Sequence, residues 1–140
     1  MDVQVNYFAV VLSMVSAMVI GSIWYSPKVF GAKWIKLAKI DMSKDGGTIL
    51  KPIAITVVVC LITAYVLAHV AYLSNQFFQH SFFQDSVNTA FWLWLGFSAC
   101  RFITHDAFEG RPMKLTFLNI SNDFVTIMVM GLIIGAMGVN

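Results

Sequence analysis

Four long apolar runs separated by three more polar intervals dominate the hydrophobic pattern of the chain. The first extends from about Val3 to Tyr25, and the second starts near Ile49 and continues to about Leu73. The third reaches from Ser86 to about Thr104 through Phe91-Trp92-Leu93-Trp94-Leu95, and the fourth from Met113 to about Met137. An α-helix needs about 20 predominantly apolar residues to cross the hydrocarbon core of a bilayer. The pattern therefore predicts an all-α, integral membrane fold: one domain over residues 1–140, built as a bundle of four transmembrane helices spanning about 3–25, 49–73, 86–104 and 113–137.

The intervals carry their own signals. The first run ends at Trp24-Tyr25-Ser26-Pro27, where two aromatics suit the headgroup level and Pro27 disfavours helical geometry at Ser26. Ser26 and Pro27 read as the N-cap and first residue of a short interfacial helix over about 28–40. On it Lys28, Lys33, Lys36 and Lys39 share one arc, and Phe30, Trp34, Leu37 and Ala38 another. Asp41 to Thr48, with Gly46-Gly47, reads as a polar turn. Ser74 to Asp85 contains the near-repeat Phe77-Phe78-Gln79 and Phe82-Phe83-Gln84, read as an interfacial anchor, after which Asp85 or Ser86 caps the third helix. Pro112 opens the fourth.

Composition supports a lipid solvent: 59% of residues are hydrophobic and only 11% charged, against about 25% charged in soluble domains. The net charge of +2 is too small to imply a nucleic-acid partner. The placement of the charges says more. All nine Lys and Arg residues fall between the first two runs (Lys28, Lys33, Lys36, Lys39, Lys44, Lys51) or about the link between the last two (Arg101, Arg111, Lys114). Four spans put both groups on one face. The positive-inside rule makes that face cytoplasmic and both termini extracytoplasmic, in a cell (plasma or inner) membrane. The first run has no basic residue before it and no small-residue cleavage site after it, so it is expected to stay as a helix.

Asp123 is the most informative single residue. It lies nine residues beyond Lys114, which at 1.5 Å per residue puts it about 13 Å along the helix, near the bilayer midplane. A carboxylate there costs about 2.5–3.5 kcal/mol, so it calls for a partner or a cavity. Asn119 and Asn122 share its stripe. One reading is interhelical glue, with Asp123 bonded to Ser13, Ser16 or Thr63; the other is a proton or cation site. The glue reading weighs somewhat heavier on sequence alone.

Small residues form a second pattern. Ala9, Ser13, Ala17 and Gly21 recur every four residues on helix one, and Gly131 and Gly135 make a GxxxG step on helix four. Lipid supplies no hydrophobic push between helices, so such stripes mark where backbones meet, within the chain or in a homodimer. Arg101 reads as a snorkelling side chain with Asp106 or Glu109 as partner. Cys60 and Cys100 read as buried small hydrophobes, and three scattered histidines complete no metal or haem ligand set. Neither a catalytic signature nor a cofactor is expected.

Gly21-Ser22-Ile23-Trp24-Tyr25-Ser26-Pro27 followed by Phe30-Gly31-Ala32-Lys33-Trp34, and later Phe108-Glu109-Gly110-Arg111 leading to Leu115 and Asn119, resemble the signatures of domain-of-unknown-function family 1761, small and mostly bacterial membrane proteins. The resemblance covers nearly the whole length in matching order. It implies four spans and one domain and transfers no catalytic residue. It directs attention to the cytoplasmic-face turns, with Trp24, Tyr25, Pro27 and Trp34 in one and Glu109 and Arg111 in the other. The expected function is that of a non-enzymatic structural or accessory subunit whose partners are the bilayer, a second copy or a larger membrane complex. The alternative is a small dimeric proton-coupled transporter or channel that uses Asp123.

Overall fold

A computed structural model describes residues 3–40 and 50–139, and every regular element among them is helical. Helix α1 covers Tyr7–Trp24, α2 Gly31–Ala38, α3 Leu50–Phe78, α4 Phe82–Leu93, α5 Cys100–Phe108 and α6 Met113–Met137. A π-helical turn, Trp94–Ala99, joins α4 to α5 without a break. Three helices, α1, α3 and α6, are long and apolar enough to cross a membrane. Their apolar side chains point outward as well as inward: Phe8, Val19, Val58, Ile62 and Phe117 are all exposed. A helix apolar on every side needs a solvent as apolar as itself.

The long helices pack in a ring, with α1 touching α3 and α6, and α4 touching the same two from the opposite side. Three hydrogen bonds set the α1–α6 register. Asn6 Nδ2 donates to the Met137 carbonyl at 3.5 Å, Ser13 Oγ to the Met130 carbonyl at 3.5 Å, and Tyr25 OH to Asn119 Oδ1 at 3.3 Å. The two helices are therefore antiparallel, with the start of α1 beside the end of α6.

The core is made largely of small side chains: Ala9, Ala17, Ala64, Ala68 and Ala90 are buried around Leu67, Met130 and Ile134. Gly131 and Gly135 allow the closest approach. A Cβ on Gly131 would stand 2.6 Å from Ala90 Cβ, and one on Gly135 2.9 Å from Phe83 Cα. The GxxxG step thus meets α4 of the same chain, where close backbone contact replaces the missing hydrophobic push.

Several boundaries differ from the sequence expectation. The short helix begins at Gly31 rather than near Lys28, and Ser26-Pro27 does not cap it. Residues 25–30 form a tight turn instead, in which the Ser26 carbonyl accepts from both the Val29 and the Gly31 N–H. A Cβ on Gly31 would collide with the carbonyl oxygens of Tyr25 and Ser26, so the turn requires glycine. Helix α3 continues through Ser74 to Phe78, and α4 starts at Phe82, capped by Ser81 rather than Asp85 or Ser86. The Ser81 Oγ accepts from Gln84 N at 3.2 Å. Both Phe-Phe pairs therefore sit on helix ends flanking a turn. The polar turn expected over 41–48 lies outside the described residues.

Candidate functional site

The α1–α6 register places Asp123 level with residues 20–21 of α1, one turn from that helix's end and about 15 Å along α6 from Met113. The segment of α1 opposite it is Ala17, Met18, Gly21, Ser22 and Tyr25, small side chains apart from Met18 and Tyr25. Across from it, α3 is in its first turns, with Pro52, Ile53, Thr56, Val59 and Cys60. Helices α1, α3 and α6 do not close together here. They border an open cavity of about 540 Å³, which α6 lines with Asn122, Asp123 and Thr126. Gly21 keeps it open, for nothing lies within 4 Å of where its Cβ would be.

The polar groups facing this cavity are unevenly supplied. Asn122 is 8% exposed, and its Nδ2 has no hydrogen-bond partner among the described residues. A buried, unpaired amide donor costs about 1–3 kcal/mol, so it asks for an acceptor. Ser22 Oγ donates its hydrogen to the Met18 carbonyl at 2.7 Å, and Thr56 Oγ1 donates to the Pro52 carbonyl at 2.9 Å. Both hydroxyls are left with lone pairs alone to offer. At the end nearest α2, Tyr25 spends its hydroxyl hydrogen on Asn119 and packs edge-on against Trp34 at 5.3 Å.

Of the polar residues singled out in the sequence, the fold brings Asn122 and Asp123 to one cavity, with Asn119 behind Tyr25 at its end. Ser13, Ser16 and Thr63 are not brought to Asp123. Ser13 Oγ reaches Met130, almost two turns further along α6, because the antiparallel register sets it there. Ser16 Oγ donates to the Ser13 carbonyl at 2.7 Å and Thr63 Oγ1 to the Val59 carbonyl at 2.9 Å. Thr63 lines a separate, mainly apolar cavity of about 490 Å³ with Leu67, Phe97 and Ser98. Ala9, Ser13 and Ala17 are buried in helix contacts, whereas Gly21, the last of that stripe, borders the open cavity. Neither cysteine is a fully buried hydrophobe: Cys60 lines the Asp123 cavity and Cys100 is exposed.

The turn residues form two clusters at the same end of the bundle. The Trp24 and Phe30 rings pack at a tilt with centroids 4.7 Å apart, and Pro27 lies exposed in the turn between them. In the other turn Arg111 pairs with Glu109 and stands 3.8 Å from buried Asp106, which accepts from Thr116 Oγ1 at 2.7 Å. Arg111, not Arg101, is thus the partner of these acids. His105, Asp106 and Glu109 hold possible ligand atoms within 4.8 Å of one another. The Arg111 guanidinium and the His105–Glu109 contact at 3.0 Å already satisfy those carboxylates, which makes the group a turn closure rather than a cation site.

A network absent from the sequence reading closes the α3–α4 hairpin. Asp85 is 2% exposed and takes Asn75 Nδ2 at 2.8 Å on one oxygen and His80 Nδ1 at 3.0 Å on the other. Burial opposes its charge, but the hydrogen bonds from Asn75 and His80, with the charge of the His80 ring, hold its carboxyl below the usual carboxylate range. The even spacing Asn75, His80, Asp85 about a turn was the available signal. The π-helical turn was equally unannounced. It turns the Trp94 indole N–H onto the Ile120 carbonyl at 3.0 Å and its ring against Phe124 at 4.7 Å.

No curated protein and no solved structure matches the chain significantly. The model of DUF1761, described as a protein of unknown function, matches residues 8–135, nearly the whole length, and the chain belongs to that family.

Proposed function

We propose that the chain is a four-span membrane protein whose working centre is the Asp123 cavity, where it binds and passes a proton or a small cationic solute. The observation that carries this is the place of Asp123 in the wall of a cavity of about 540 Å³, next to Asn122, whose buried amide nitrogen has no partner among the described residues. The three hydroxyls that the sequence offered as its partners are turned to backbone carbonyls, which leaves Ser98 of the π-helical turn as the side-chain hydroxyl that reaches Asp123. Cavities with convergent polar groups in otherwise apolar walls are where small solutes bind.

The fourth span in this reading, about 86–104, lies within the unbroken helical stretch from Phe82 to Phe108. At 1.5 Å per residue it is about 40 Å long, enough for a bilayer. The π-helical turn divides it into two shorter regular helices, α4 and α5. The basic residues of α2, the start of α3 and the α5–α6 turn would then share the cytoplasmic face, with both termini outside.

A structural or accessory subunit is the second reading, supported by the small-residue faces that pack within the chain. That packing already occupies Gly131 and Gly135, so a homodimer would have to use another surface. The reading also leaves the Asn122 amide without a purpose.

The test is flux. Wild type and Asp123→Asn are reconstituted in liposomes, and proton-coupled and cation flux are followed under an imposed gradient. The proposal expects flux in wild type and background flux in a variant that keeps its fold. Equal flux in both, or none in either with a less stable variant, contradicts it.

A further inference from the structure

Helix α3 packs along α4 but makes no comparable contact with the π-helical turn or α5. A groove therefore opens between α3 and the later part of the Phe82–Phe108 stretch. Its inner part is the cavity of about 490 Å³, with Ile62, Val66, Leu67 and Leu93 in a mainly apolar wall. The two hydroxyls there, of Thr63 and Ser98, are turned to the Val59 carbonyl and to Asp123. Phe97 and Ser98 also line a second cavity of about 430 Å³, which Arg101, Phe102, His105 and Arg111 border further along, with Asp106. The two are consecutive parts of one groove, apolar at one end and basic at the other. At their junction the Phe97 ring is exposed, so no helix of the chain covers it.

The charges at the basic end are unequally engaged. Asp106 is buried and accepts from Thr116 Oγ1, and Glu109 is held by Arg111 and His105. Arg101 is exposed and has no ion pair among the described residues. It lies seven residues before the end of α5, about 10 Å along the axis, within snorkelling reach of the headgroup level. Its guanidinium lacks the anion that such a fork of donors is suited to hold.

We propose that this groove, distinct from the Asp123 cavity, holds one anionic phospholipid of the adjoining leaflet. The phosphate pairs with Arg101, with Arg111 alongside, and one acyl chain runs past Phe97 into the apolar part toward Leu67. The order along the groove is that of a lipid, with charge at headgroup level and hydrocarbon beyond it. Basic pockets between spanning helices are where anionic headgroups are held. A soluble anion would leave the apolar part empty, and a wholly apolar molecule would leave Arg101 unpaired.

The full chain is released from nanodiscs of equal parts palmitoyl-oleoyl phosphatidylglycerol and the corresponding phosphatidylcholine, and native mass spectrometry counts the lipid it retains. Wild type should keep one phosphatidylglycerol, favoured roughly tenfold over phosphatidylcholine, as for a charge-assisted hydrogen bond. Arg101→Gln should lose that preference, and Arg101→Lys should regain part of it. Lys33→Gln removes an exposed charge on α2 outside the groove and should leave the preference unchanged. Val66→Trp fills the apolar part without touching a charge and should lower retention of phosphatidylglycerol. Dioctanoyl phosphatidylglycerol should displace the retained lipid, and chainless glycerol 1-phosphate at the same concentration should not.

Equal retention of the two lipids by wild type overturns the proposal. So does a preference that survives Arg101→Gln, or one that falls as far in Lys33→Gln. Displacement by glycerol 1-phosphate as effective as by the chained lipid, or full retention in Val66→Trp, marks a bare phosphate site and overturns it as well.

Discussion

The Tyr25 hydroxyl donates to Asn119 Oδ1 at 3.3 Å, joining the end of α1 to α6 directly beside the Asp123 cavity. The same ring stands edge-on to Trp34, so one side chain links α1, α2 and α6. Tyr25→Phe keeps the ring contact and removes the hydrogen bond. It should lower stability by about 0.5–1.5 kcal/mol, read as a fall in melting temperature in detergent. Tyr25→Ala should lower it further, because α2 then loses its aromatic support.

The glycines should divide sharply. Gly131→Ala and Gly135→Ala push a methyl into Ala90 Cβ and Phe83 Cα respectively, and each should cost about 1–3 kcal/mol as α4 and α6 are forced apart. Gly21→Ala meets nothing within 4 Å and, lying inside α1, should be neutral or slightly stabilising. Melting temperatures of the three variants decide this, with a uniform effect contradicting the packing described.

Asp85 gives an acid-range prediction. Its folded carboxyl titrates below the ordinary value of 3.8, so its stabilising effect is complete above that pH and is lost as pH falls through the lower folded value. Wild type should therefore lose stability below about pH 4. Asp85→Asn should be less stable at neutral pH, where an amide cannot accept on both sides from Asn75 and His80, and should show a flatter acid profile. Melting curves taken across that range test both points.

The apolar runs made α1 and α6 legible from sequence, because a helix surrounded by lipid shows its full length as composition. The α3–α4 hairpin was less so. Ser74 and Asn75 looked like loop, yet a polar residue continues a helix when its side chain finds a partner, as Asn75 does in Asp85. Asp85 and Ser86 outcompeted Ser81 as apparent caps for the same reason: a buried acid in a first turn resembles a cap in sequence. The π-helical turn could not be read, since a mainly apolar stretch hides the difference between four- and five-residue steps. The cavity was hidden too. Gly21 continued a packing stripe in sequence, and only the α1–α6 register shows that its neighbour across the gap is Asp123 rather than another backbone.

If Asp123 looks into a space which water and small cations reach, Cys60 does too, for it lies in the wall of that space. With Cys100 replaced by Ala, Cys60 can be labelled in nanodiscs by a cationic and an anionic thiol reagent of equal size, at about pH 8.5. Cys60 should react, and the cationic reagent should be favoured roughly fivefold over its preference for a free thiol, the ~1 kcal/mol of a nearby carboxylate in a watery site. Asp123→Asn should remove that preference. A Cys60 that stays unreactive while a cysteine at Lys33 labels readily, or one that reacts with no charge preference, would contradict the claim.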